Sequence, residues 1–207
     1  MSEDAMILSG IKVLDAASFI AGPVATTIMA DFGAEVIKVE PPMGDGYRAI
    51  TGVAGMPKTE APYHWLVDNR SKRGLALDLS TDAGREVMYK LVAEADVFVT
   101  NFMPSVREKL GLLYEDLAPL NERLIYGSMS AYGETGPEAG QTGFDTTAYW
   151  ARSGLMDLVR PDPDGDPARS MAGMGDHPTG VALFSAIMMA LFRRERTGKG
   201  GMAHTSL

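Results

Sequence analysis

The sequence predicts an α/β fold, a parallel sheet covered by helices, and three observations carry that prediction. Short apolar runs recur along the chain, longer segments with apolar residues at helical spacing separate them, and turn or cap residues mark the junctions. Ile11–Ala17 and Ala34–Glu40 read as buried strands, and the segment between them has Pro23 where a first helical turn accepts it and Gly33 where a helix stops. Gly74–Leu79 reads as a third strand, residues 80–95 as an amphipathic helix with Ser80 as candidate N-cap, and residues 96–102 as a fourth strand. Two short helices over 104–112 and 114–121 precede a fifth strand, Arg123–Ala131. Pro41–His64 and Arg160–Gly175 are rich in Gly and Pro and read as loops, and loops this long are usually functional or mobile. In such a sheet, ligands bind in the crevice beyond the carboxyl ends of the strands.

Composition removes several function classes. The 207 residues are 45% hydrophobic, enough for a substantial core. Their formal net charge of -8 sets a field that repels nucleic acid and anionic membranes, so neither is an expected partner. The chain has no cysteine, which excludes disulfides, thiolate metal sites and thiol nucleophiles. The N-terminus has acids where a secretory signal carries bases, and the longest apolar run, Val181–Phe192, is shorter than the roughly 20 residues that cross a bilayer. The reading is a soluble, cytoplasmic protein.

The turn after the first strand has one glycine where the dinucleotide fingerprint needs three, and no phosphate-loop, metalloprotease or serine-hydrolase motif is present. His64, His177 and His204 are scattered, so no metal site is expected. Against the acidic background, "NRSKRG" (69–74) places Arg70, Lys72 and Arg73 just before a strand, as a solvated turn or as a phosphate-binding rim. "MAGMGDHPTG" (171–180) puts Asp176 and His177 before an apolar helix. Either one caps a helix beginning near Pro178, or Asp176 is an accessible carboxylate, kept ionised by the helix dipole and able to act as a nucleophile.

Seven stretches, in order, resemble the class III coenzyme A transferases, or CaiB/BaiF family, which is related to the alpha-methylacyl-CoA racemases. They are "GIKVLDAASFIAGPVATTIMADFGAEVIKVEPP", "NRSKRGLALDL", "ADVFVTNFMPSVREKLGL", "LIYGSMSAYGETGP", "GFDTTAYWARSG", "MGDHPTG" and "RRERTGKG". The resemblance implies that residues 1–207 form the Rossmann-like large, CoA-binding domain. The smaller second domain of the family lies outside this chain, and the whole assembles as an interlocked homodimer or with a partner chain supplying the remainder.

The resemblance further implies an acyl-CoA:carboxylate CoA transferase. Coenzyme A enters as a substrate and no cofactor is permanently bound. Asp176 attacks the thioester to form a mixed anhydride and then an aspartyl-CoA thioester, with backbone N–H groups at the helix start as oxyanion donors. Carried over position by position, Asn101 and Phe102 line the CoA cleft, Leu77 lies near the adenosine, and Lys109 stands for a phosphate-binding arginine. Pro41 and Ser80 replace basic residues of some relatives, so phosphate contacts would also come from Arg70, Lys72 or Arg73. The racemases carry a histidine base where this chain has Phe144, which disfavours an acyl-CoA racemase or epimerase. Formyl-CoA transferases have glutamine at Ile20. Phe19, Ile20 and Phe144 thus suggest an apolar acyl pocket, or ordinary core packing. A third reading is a non-catalytic CoA-binding fragment or subunit.

Overall fold

A computed structural model of the chain describes residues 6–52 and 57–207. Six parallel strands form one sheet: β1 (Lys12–Asp15), β2 (Glu35–Glu40), β3 (Arg73–Ala76), β4 (Val97–Thr100), β5 (Ile125–Ser130) and β6 (Gly201–Ser206). Their order is β3-β2-β1-β4-β5-β6. The chain winds outward from β1 in one direction and, from β4, in the other. That reversal opens a crevice between the carboxyl ends of β1 and β4, the place where doubly wound sheets bind ligands.

Strand alternation assigns side chains to two cores. Val13, Val97, Val99 and Ile125 face α1 (Ala21–Asp31) and α7 (Asp176–Thr197), packing with Ala25, Met29, Leu183 and Ile187. Leu14, Phe98 and Tyr126 face the other way, against Met88 and Val92 of α3 (Asp82–Val92) and against Leu112 and Leu117, which flank and belong to α5 (Tyr114–Leu117). Both faces being covered is why these strands read as continuous apolar runs. Helix α1 lies directly on α7 because residue 180 is glycine: a Cβ there would stand 2.7 Å from the Val24 Cβ and 2.8 Å from the Ala21 carbonyl.

Several expectations need correction. Gly201–Ser206, which sequence reading leaves unassigned, is the sixth strand, paired in parallel with β5 from Ile125↔Gly201 to Ser130↔Ser206. As an edge strand it needs little apolar content. The segment Pro41–His64 is only partly a loop: Gly46–Gly52 forms a 3₁₀ turn and α2 (Tyr63–Asn69) begins at its end, with Trp65 and His64 buried. Residues 53–56 of that segment lie outside the described residues. Thr81, not Ser80, caps α3, its side chain accepting the Gly84 N–H at 3.1 Å, while the Ser80 hydroxyl donates to Asp78.

The largest correction concerns Lys72 of "NRSKRG". Lys72 is buried, its ammonium donating to Asp15 Oδ2 at 2.9 Å and to the carbonyls of Pro23 and Asp68. Arg70 pairs with Asp31, and Arg73 with Glu35. Lys72 is thus committed within the fold, whereas Arg70 and Arg73 keep exposed side chains in surface pairs. Asp15 also faces Lys38, which is buried too and bonds the Ala17 carbonyl and Asp45. Burial alone raises a carboxyl's pKa, yet Lys38 and Lys72 outweigh it and hold Asp15 below the ordinary range. Replacing Lys72 by methionine leaves Asp15 short of a counter-charge in the interior. The expected cost is about 3 kcal/mol of unfolding free energy, measured by urea denaturation at neutral pH; an unchanged midpoint contradicts the account of this cluster.

Candidate active site

The turn from β1 into α1 sets one wall of the crevice. Asn101, just past β4, grips that turn twice: the Ser18 N–H donates to Oδ1 at 2.8 Å, and Nδ2 donates to the Ser18 carbonyl at 2.7 Å. The next residue, Phe19, has φ of 60°, a left-handed conformation costly for a side chain of this size. It swings the ring out, 6.2 Å from Tyr47 and 6.3 Å, edge-on, from Phe144. A cavity of about 300 Å³ opens here, lined by Phe19, Ile20, Asn101, Phe102, Ser130, Phe144 and Asp176 among others.

Asp176 reaches the cavity from the opposite side. It is the first residue of α7, and Gly175 precedes the helix with no side-chain cap. Among the described residues the Asp176 carboxyl makes no hydrogen bond and no ion pair. It is therefore not the cap that one reading of the sequence expected. A π-helical turn, Thr146–Arg152, which leads into the short helix α6 (Leu155–Leu158), presses directly on Gly175: an added Cβ would stand 2.5 Å from Tyr149 Cβ. Only glycine permits that approach, which brings Asp145 to the base of α7, its Oδ2 accepting the Gly175 N–H at 3.4 Å. The first-turn donors are largely spent, since the N–H of His177 bonds Gly173 O, that of Thr179 bonds Gly175 O, and Pro178 has none. The oxyanion donors expected at this helix start are thus not available from those residues.

The structure brings Phe19, Ile20, Asn101, Phe102, Phe144 and Asp176 to one cavity. Asn101 lines it while its side chain grips Ser18 with both ends of the amide. Lys109 is exposed on α4 (Pro104–Leu110), a turn beyond Val106 at the cavity edge. Leu77 follows β3, its N–H on the Glu40 carbonyl and its side chain against the second core, outside this cavity. Arg73 opens β3 and lines a separate cavity of about 360 Å³ with Lys12 and Glu94, away from Asp176.

Sequence reading missed two networks. Behind Asp176, His177 Nε2 lies 3.0 Å from Asp68 Oδ1, and the Tyr47 hydroxyl donates to Asp68 Oδ2 at 2.8 Å. Beyond Ser130, buried Arg107 binds Glu134 at 2.5 Å, and His204 stands 3.4 Å from Glu134 and 3.0 Å from the Ser128 hydroxyl. Burial pushes His204 below its ordinary pKa. The partners in each network are far apart in sequence, and of their members sequence reading singles out only His177, beside Asp176.

The profile of CoA-transferase family III matches residues 8–207. The chain belongs to this family. It is 40% identical over 204 residues to the (R)-2-hydroxy-4-methylpentanoate CoA-transferase of Clostridioides difficile, covering 98% of this chain and 51% of that protein. It is 42% identical over 196 residues to the succinyl-CoA:glutarate CoA-transferase of Mus musculus, covering 93% and 43%. A crystal structure of a CaiB/BaiF family protein from Brucella suis superposes with a TM-score of 0.86 at 38% identity, over 97% of this chain and 52% of that one. The chain thus spans about half the length of the curated relatives it matches.

In this family III domain, the carboxylates that gather at the start of α7 decide the protonation of Asp176. Burial, with Asp145 and Asp68 adding like charge, pushes its carboxyl up to about 7, and only His177 pulls the other way. The helix dipole that sequence reading expected to keep it ionised is outweighed. A carboxyl whose folded pKa exceeds its unfolded value of 3.8 binds its proton more tightly in the fold, so ionising it costs stability. That penalty is absent below pH 4 and grows until pH passes about 7. Asp176→Asn is therefore expected to raise unfolding free energy at pH 8 by about 1–2 kcal/mol and to leave it nearly unchanged at pH 4. Denaturation at the two pH values checks this; a loss of stability at pH 8 contradicts it.

Proposed function

We propose that this chain carries the nucleophile of an acyl-CoA:carboxylate CoA transfer, and that the nucleophile is Asp176. The observation that carries the reading is a carboxyl with no bonding partner among the described residues, facing an apolar cavity at the crevice of a family III fold. Buried Asp15 is the contrast, paired with Lys38 and Lys72.

An Asp176 oxygen attacks the thioester carbonyl, the C–S bond breaks, and CoA leaves as thiolate with a mixed anhydride on the enzyme. The thiolate then attacks the aspartyl carbonyl, releasing the donor carboxylate and leaving an aspartyl-CoA thioester. The acceptor carboxylate attacks that thioester, forming a second anhydride, and returning thiolate attacks its acyl carbonyl to give the new acyl-CoA and free Asp176. No proton needs to move, so an ionised carboxylate suffices without a general acid or base. A thiolate is a good leaving group, and the covalent path divides one hard exchange into easier ones. Ionised Asp176 is the active form, so the rate rises with pH through its titration near 7.

Phe102 and the turn held by Asn101 would flank the pantetheine arm, with Lys109 and Leu77 further along toward the phosphates and adenosine. Phe19, Ile20 and Phe144 favour an apolar acyl group, and Phe144 offers no base for racemisation. Arg73, bound to Glu35, contributes least to this arrangement. Exposed Val181, Met189 and Phe192 along α7 support the reading that further polypeptide, from a second copy or a partner chain, covers that helix.

Incubation with a panel of acyl-CoA thioesters followed by hydroxylamine should convert Asp176, and no other carboxylate, to its hydroxamate, read by peptide mass spectrometry. Asp176→Asn should abolish both labelling and transfer. Transfer that proceeds while Asp176 stays unmodified overturns the proposal.

A further inference from the structure

We propose that His177 is a positioning residue for Asp176: it neutralises Asp68 and pins the glycine turn that aims the Asp176 carboxyl. The inference rests on the reading of Asp176 as nucleophile.

The hydrogen bonds account for every polar atom of the imidazole. Nδ1 stands 2.9 Å from the Gly173 carbonyl, which can only accept, so Nδ1 carries a proton. Nε2 stands 3.0 Å from Asp68 Oδ1, and the other Asp68 oxygen accepts from the Tyr47 hydroxyl at 2.8 Å. A neutral ring facing an ionised Asp68 would set lone pair against lone pair. One further proton is therefore shared between Nε2 and Asp68, and wherever it resides the pair carries no net charge. Burial with the Asp68 bond pushes the Tyr47 phenol far up, so Tyr47 remains a neutral donor.

The placement matters because α7 starts among carboxylates. Asp145 faces Asp176 from the π-helical turn and Asp68 from α2, while His177 alone of the groups acting on Asp176 has opposite sign. Lys72 lies on the far side of Asp68, bonded to its backbone carbonyl, and is engaged with Asp15. Without His177, Asp68 becomes an unshared anion beside the nucleophile, and fewer Asp176 carboxyls are ionised at neutral pH. The same ring links α7 to α2 and to Gly173, whose φ of 77° makes the sharp bend ahead of Asp176. The His177 side chain is 48% exposed, so its charge is partly screened by solvent.

The test is direct titration of the Asp176 carboxyl by NMR, with ¹³C-labelled aspartate and Asp176→Asn to assign the resonance. His177→Gln is expected to raise the midpoint by about half to one pH unit, and Asp68→Asn to lower it by a similar amount. The double variant should return the midpoint close to its starting value, because both members of the neutral pair are then gone. A residue that only braces the turn would not move the midpoint in opposite directions in the two variants. An unchanged or lowered midpoint in His177→Gln, or an unchanged one in Asp68→Asn where the first variant does not fold, overturns the proposal. The titration needs no acyl-CoA, so it stands or falls separately from covalent labelling of Asp176.

Discussion

The crevice depends on two ammonium groups buried against one aspartate. Asp15 ends β1 with no exposure, and Lys38 and Lys72 converge on it from β2 and from the segment before β3. Lys38 also holds the Ala17 carbonyl, so the charge cluster fixes the first residues of the turn after β1. Asn101 fixes the next one, and Phe19 is left to absorb the bend in a strained conformation. One wall of the cavity is thus a consequence of charge pairing beneath it, and side chains so constrained suit the fixed geometry that a site requires. Buried pairs of this kind add little net stability relative to apolar packing, but breaking one is expensive.

The opposite wall follows from a different constraint, close packing through glycine. Gly180 lets α1 touch α7, and Gly175 lets the π-helical turn touch the start of α7. Together they fix the helix whose first residue is Asp176, and Gly175 lets Asp145 come close enough to add to the like charge of Asp68 that disfavours its ionisation. The cluster at Asp15 satisfies its carboxylate completely; the cluster at Asp176 crowds it with like charge. An under-satisfied, partly buried carboxyl in a cavity is a poor structural element and a serviceable nucleophile, in line with perturbed groups gathering at functional sites.

Much of the sheet was legible because β1, β2, β4 and β5 are buried on both faces and so had to be apolar. Strand β6 was not, since half of it faces outward and its residues, Met202 and His204 among them, follow no simple alternation. Helix α2 was hidden by the glycines and prolines before it. Within the basic run at 69–74 the fate of Lys72 was hidden for a physical reason: charge runs are usually solvated, and nothing local reveals that Asp15, far away in sequence, draws Lys72 inside. Asp176 itself was legible as a residue of interest, but its electrostatics were not, because Asp68 and Asp145 reach it only through the fold. Family resemblance suggested the role proposed for it; the structure supplied the reason a cap is the wrong explanation.

The account turns on whether a thioester bound in the crevice meets the start of α7. A crystal structure with a slowly reacting acyl-CoA analogue, in the protein with Asp176→Asn, measures that separation directly. The account predicts the thioester carbonyl carbon within about 3.5 Å of the residue 176 side chain, at near-attack distance, with the acyl group against Phe19 and Phe144. A thioester held elsewhere on the sheet, with residue 176 facing only solvent, would contradict it.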